Sequence, residues 1–101
     1  MKRCSTAADR RHLANVAALG CVVCRYCYGH ADTPAEVHHV RVLHGWGRSS
    51  HTATIPLCYE HHRGNTGVHS MGRQPFTDLH GKSEIDLLNI VNIQLKATAW
   101  N

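Results

Sequence analysis

Apolar positions change their spacing several times along this chain, and each change predicts an element. In residues 5–19, Leu13, Val16 and Ala17 mark an inner face while Arg10, Arg11 and Asn15 fall outside it, which is helical spacing. Thr6-Ala7-Ala8-Asp9 reads as a capping box at its start, and Gly20 ends it. From Glu36 to Leu43 the pattern alternates and is rich in β-branched residues, so a strand is expected with His38 and His39 on opposite faces. Thr52 to Leu57 forms a second short strand, antiparallel to the first if the glycine-rich loop from His44 to His51 makes a hairpin. Pro56 confines that strand to an edge or to its own end. Cys58 to Arg63 opens a helix that Gly64-Asn65-Thr66-Gly67 stops early, and Val68 to Gly72 reads as irregular. Ser83-Glu84-Ile85-Asp86 then caps a final helix over residues 84–98. Its apolar band (Ile85, Leu87, Leu88, Ile90, Val91, Ile93, Leu95) is too wide for a lone surface helix. Packing on the first helix and the strands is expected, with a partner as a further candidate for part of that face.

Length narrows the picture to a single domain over residues 1–101, since 101 residues leave no room for a second core. Met1-Lys2-Arg3-Cys4-Ser5 lacks a signal peptide's apolar run and no stretch approaches a membrane span, so a soluble, cytoplasmic protein is expected. A net charge of +4 suits a polyanionic partner but equally a mildly basic soluble domain.

Cysteine and histidine change the picture most. The chain has 5 cysteines and 10 histidines, and in the cytosol such residues at short spacings bind metal more often than they form disulfides. Cys21-Val22-Val23-Cys24 has knuckle spacing, and Cys58-Tyr59-Glu60-His61 supplies a second knuckle. Together they predict a closed structural zinc site, with Cys27 as a competing fourth ligand and Cys4 as a plain thiol. His38, His39, His62 and His69 are left as a second cluster. On one continuous helix His69 would stand about 10 Å from His62, too far to share an ion. The glycine break at residues 64–67 removes that objection by letting the chain fold back. His12, His30, His44 and His80 are read as uninvolved. In the glycine-rich loop, Trp46 and Arg48 could stack on bases and pair with phosphate, or simply form a surface loop.

The order of knuckle, strand ending in a histidine pair, loop, short strand and Cys-x-x-His-His helix resembles the HNH endonucleases. The resemblance implies a small, zinc-stabilised α+β fold, a ββα-metal (treble-clef-like) core with a helix on each side. It implies His38 and His62 as ligands of a catalytic divalent ion (Mg2+, Mn2+ or Zn2+) and His39 as the base that deprotonates the attacking water. The family's middle asparagine or aspartate falls near His51 or Ala53. Alanine cannot orient a base, so the resemblance puts His51 in that role or in an accessory-ligand role. A narrower resemblance runs from about residue 10 to 95. Leu19-Gly20-Cys21-Val22-Val23-Cys24, Asp32-Thr33-Pro34-Ala35-Glu36-Val37-His38-His39, Ile55-Pro56-Leu57-Cys58 with His61-His62-Arg63, and Gly67-Val68-His69 look like the phage recombination-enhancement, RecA-dependent nucleases. That family implies nicking of DNA, single-stranded or in a displacement loop, where a RecA filament has paired a strand, in the cytoplasm of a bacterial host. It also implicates His69 as a further ligand, and any function of the long basic arm that members can carry is expected to be absent or supplied elsewhere. Arg41, Arg48, Arg63 and Arg73 are the expected phosphate contacts, of a kind that adds mostly salt-sensitive affinity. A zinc-stabilised DNA-binding module without catalysis, supported by Ala53, and a purely scaffolding zinc domain are the competing readings.

Overall fold

The computed structural model describes residues 6–41 and 53–99, and its elements run α1 (Ala7–Ala18), α2 (Val22–Tyr28), β1 (Glu36–His39), β2 (Thr54–Leu57), α3 (Tyr59–His62), α4 (Val68–Met71), α5 (Arg73–His80) and α6 (Glu84–Ala99). Both expected caps form. Thr6 Oγ1 accepts from the Asp9 amide at 3.0 Å while Asp9 Oδ2 accepts from the Thr6 amide at 3.1 Å. Ser83 and Asp86 repeat the exchange at the start of α6, at 3.1 and 3.0 Å. Each reciprocal cap satisfies amides that a helix start leaves without partners and contributes about 1 kcal/mol.

β1 and β2 pair antiparallel, with Glu36 opposite Leu57, Val37 opposite Pro56, His38 opposite Ile55 and His39 opposite Thr54. The ladder continues one step, as the Val40 amide donates to the Ala53 carbonyl at 2.8 Å. Proline has no amide to donate, which a two-stranded sheet tolerates because every strand is an edge. β2 is nevertheless buried along its length, because α1, α2 and α6 pack around it. Val22, Val23, Ile55, Leu57, Phe76, Leu87, Leu88 and Val91 form the core. The broad band of α6 is thereby explained: Leu87, Leu88 and Val91 are buried, Ile85, Ile90 and Leu95 pack against that core, and Ile93 is exposed. No described helix is long and apolar enough to cross a membrane.

At the first knuckle Cys21 caps α2, its sulfur accepting from the Cys24 amide at 3.4 Å, and α2 runs on through Tyr28. One local reading is corrected. Residues 68–71 form a helical turn instead of an irregular segment. α5 follows, between Gly72 and Gly81, both at positive φ. Pro75 falls in its first turn, where the missing amide breaks no helical bond, and Phe76 fills the core beneath it.

Candidate functional site

Cys58 stands at the junction of β2 and α3, so the end of the buried strand fixes where its sulfur and the following turn of helix point. One turn on, His61 Nδ1 lies 3.3 Å from Cys58 Sγ, 3.6 Å from Cys21 Sγ and 3.6 Å from Cys24 Sγ, and the Cys24 and Cys58 sulfurs are 3.8 Å apart. A tetrahedron built on ordinary zinc bond lengths has S–S edges of about 3.8 Å and S–N edges of about 3.6 Å. The four distances are close to those edges, and the cluster could hold a metal ion. Burial pushes the Cys21 thiol up to about 12, against the lowering effect of the Cys24 and Cys58 amides, so binding there exchanges protons for the cation. Burial also lowers His61, followed by the neighbouring His80, and this keeps the imidazole neutral as a ligand must be. Cys27 is outside the set, half-buried against the core with its thiol raised by burial.

His80, read as uninvolved, is a buried brace for this cluster. Its Nδ1 lies 2.7 Å from the Tyr28 hydroxyl oxygen and its Nε2–H donates to the Thr66 carbonyl at 2.9 Å. Tyr28 in turn stacks on His61 with ring centroids 5.8 Å apart. No local pattern marks this role, because its partners lie on α2 and on the glycine break.

The second cluster brings His38, His62 and His69 together. His62 Nε2 and His69 Nε2 are 3.1 Å apart, close to the separation of about 3 Å between neighbouring ligands of an octahedral ion with bonds near 2.1 Å. Gly67 makes this possible. A Cβ there would lie 2.7 Å from the His62 carbonyl carbon and 2.8 Å from both the Arg63 nitrogen and the Glu60 oxygen. Only a residue without a side chain lets the chain fold back against α3 and present His69 to His62. Gly67→Ala is therefore expected to weaken a second ion by about tenfold or more while the cysteine site keeps its metal, as disturbed ligand support typically does. Titration of Mn2+ into the zinc-loaded variant checks this.

Glu36, read from sequence only as the start of a strand, orients His62. Its Oε1 is 2.7 Å from His62 Nδ1, so Nδ1–H donates to the carboxylate and the Nε2 lone pair faces the cluster. Arg63 grips the same carboxylate through Nε at 3.0 Å and Nη2 at 2.7 Å. Those bonds, the arginine's above all, hold Glu36 down at about 2. Strand alternation was a usable signal here, since it puts Glu36 on the same face as His38. Glu84 was missed too: its carboxylate, buried at the start of α6, lies 2.5 Å from His38 Nε2, across 46 residues of sequence. Burial lowers His69, aided by the His38 and His62 rings, so its lone pair is available at neutral pH.

These groups line an open cleft with a cavity volume of about 760 Å³, whose walls include His38, His39, Arg41, His62, His69 and Arg73. A groove of about 510 Å³ along α5 shares Arg73 and Glu84 with it. His39 is half-buried, whereas Arg41 and Arg73 are exposed. Arg63 is exposed as well, but its guanidinium is committed to Glu36. His51, Arg48, Trp46, His44 and Cys4 lie outside the described residues.

A two-stranded α+β frame thus carries one closed and one open cluster of side chains, each of which could hold a metal ion. The family model described as recombination enhancement, RecA-dependent nuclease matches residues 5–95. The chain belongs to that family, and the family's name makes it a nuclease of recombination that acts with RecA.

Proposed function

We propose that the chain is a metal-dependent DNA endonuclease of the HNH type, one domain with a ββα-metal core, which hydrolyses phosphodiester bonds in RecA-bound DNA. The observation that carries this reading is the convergence of His38, His62 and His69 on a cleft that His39 also lines. Bound there, a divalent ion (Mg2+, Mn2+ or Zn2+) would stabilise charge on the phosphoryl oxygens and the leaving 3′ oxygen. His39 follows His38 on β1, so its ring leaves the strand on the other side and stays out of the ligand set. It takes the proton of the attacking water as general base. Arg41 and Arg73 hold phosphates along the cleft, and the neighbouring groove along α5 suits a polymer better than a small molecule. Arg63 acts mainly through Glu36 and His62. Arg48 as a phosphate contact and His51 as the group that orients His39 complete the proposal. The four-ligand cluster holds structural zinc and ties α2 to α3. A single-stranded or displacement-loop DNA substrate and the cytoplasm of a phage-infected bacterium fit this chemistry.

One observation favours a DNA-binding module without catalysis. Ala53, one of the two candidates for the family's middle position, is buried and offers only its carbonyl, which accepts from Val40. Nicking of supercoiled plasmid with Mg2+, Mn2+ or Zn2+ decides between the two. The endonuclease reading expects cleavage that EDTA abolishes and that His62→Ala lowers by about 10²-fold or more, a typical cost of losing ion-based charge stabilisation. Retained binding without cleavage at any of these metals would favour the module.

A further inference from the structure

Two carboxylates approach the histidine cluster, and they do so differently. Glu36 bonds His62 from behind, at the ring nitrogen remote from His69, and its charge is matched by Arg63. Glu84 instead lines the cleft together with His38, His62 and His69, and its Oε2 contacts Nε2 of His38. It is only 5% exposed. Moving a carboxylate out of water costs several kcal/mol unless an opposite charge faces it. In the structure only the His38 ring faces it at bonding distance, and a divalent ion on the three histidines would supply the opposite charge. The position is also prepared by the fold: Glu84 is in the first turn of α6, where the helix N-terminus favours an anion, and the Ser83–Asp86 cap fixes the turn.

We infer that Glu84 is the fourth protein ligand of the ion on His38, His62 and His69, so that the site is three imidazoles and one carboxylate. The inference rests on the reading that these histidines hold an ion. Glu84 is not among the ligand atoms that lie within 4.8 Å of one another, so binding takes a movement of its carboxylate from His38 towards His62 and His69. Two consequences follow from the donor set. A hard oxygen ligand moves the site away from the nickel and zinc preference of imidazoles and towards Mn2+ and Mg2+. It would also lower the net charge of the occupied site by one. Cleavage on this account depends on a residue far in sequence from both histidine pairs.

The test is a crystal structure of the zinc-loaded chain soaked in Mn2+, paired with Mn2+ and Ni2+ titrations of wild type and Glu84→Gln. The expected map has an anomalous peak among the three histidines with a Glu84 oxygen about 2.2 Å away, as for hard cations. In solution, Glu84→Gln should weaken Mn2+ about tenfold or more and Ni2+ no more than about threefold, as expected for losing an oxygen donor. An ion on the three histidines with Glu84 still bonded only to His38, or equal losses for the two metals, would overturn the inference and leave the metal site standing. No ion on the histidines at saturating Mn2+ would instead remove the metal site itself. Unchanged zinc content in the variant shows that it folds.

Discussion

His39→Ala is expected to lower the rate of DNA nicking by about 10² to 10⁴, the usual contribution of a general base, with the fold and both metal sites unchanged. The expectation follows from β1. His38 and His39 are neighbours on one strand, so their side chains leave it on opposite sides, yet both reach the wall of the same cleft. His38 is buried with its Nε2 against Glu84, and His39 is half-buried. Removing the second should leave the first in place. Single-turnover nicking by His39→Ala at saturating Mn2+, with metal content measured on the same sample, separates lost base catalysis from a lost ion. A folded, fully loaded variant that cuts as fast as wild type would sink the assignment of His39.

Cys58→Ser is expected to abolish folding. The side chain is a corner of the four-ligand cluster and the residue caps α3, whose single turn carries both His61 and His62. Structural zinc in small domains contributes about 10–16 kcal/mol, which equals or exceeds the roughly 5–15 kcal/mol by which a native domain is stable. The variant should therefore lose zinc and cooperative melting together, and the histidine cluster with them, since the turn of α3 that carries His62 starts at Cys58. Cys27→Ser is the matched control, expected to keep its zinc because Cys27 stands outside the cluster. Zinc content and thermal melts of the two variants check this. A zinc-free Cys58→Ser protein that melted like wild type would contradict it.

What could be read from the chain follows the range of the interactions involved. Cys21, Cys24, Cys58 and His61 were legible because the two knuckles are local and each has the spacing that a tetrahedral ion demands. His69 was legible through the glycine break, although the reason is sharper in three dimensions: Gly67 lies against the backbone of α3. The paired strands and the α6 cap were equally local. α5 was not legible, since Gly72, Pro75 and Gly81 punctuate it and its one deep core anchor, Phe76, shows no period. Glu36, Glu84 and His80 share a different difficulty. Each acts on a partner 14 to 52 residues away, and a lone Glu or His on an ordinary helix or strand carries no local mark of such a bond. The family match over residues 5–95 agrees with the resemblance drawn from the motifs, whereas the HNH chemistry rests on the histidine cluster and awaits its test.

The most direct measurement is nicking of one displacement-loop DNA, formed with and without a RecA filament, by the zinc-loaded chain in Mn2+ or Mg2+. The account predicts strand cleavage within the paired region that requires the filament and the added ion, and that EDTA stops. Cleavage that persists in EDTA, or intact DNA on a RecA-paired substrate with either metal at saturating protein, would contradict it.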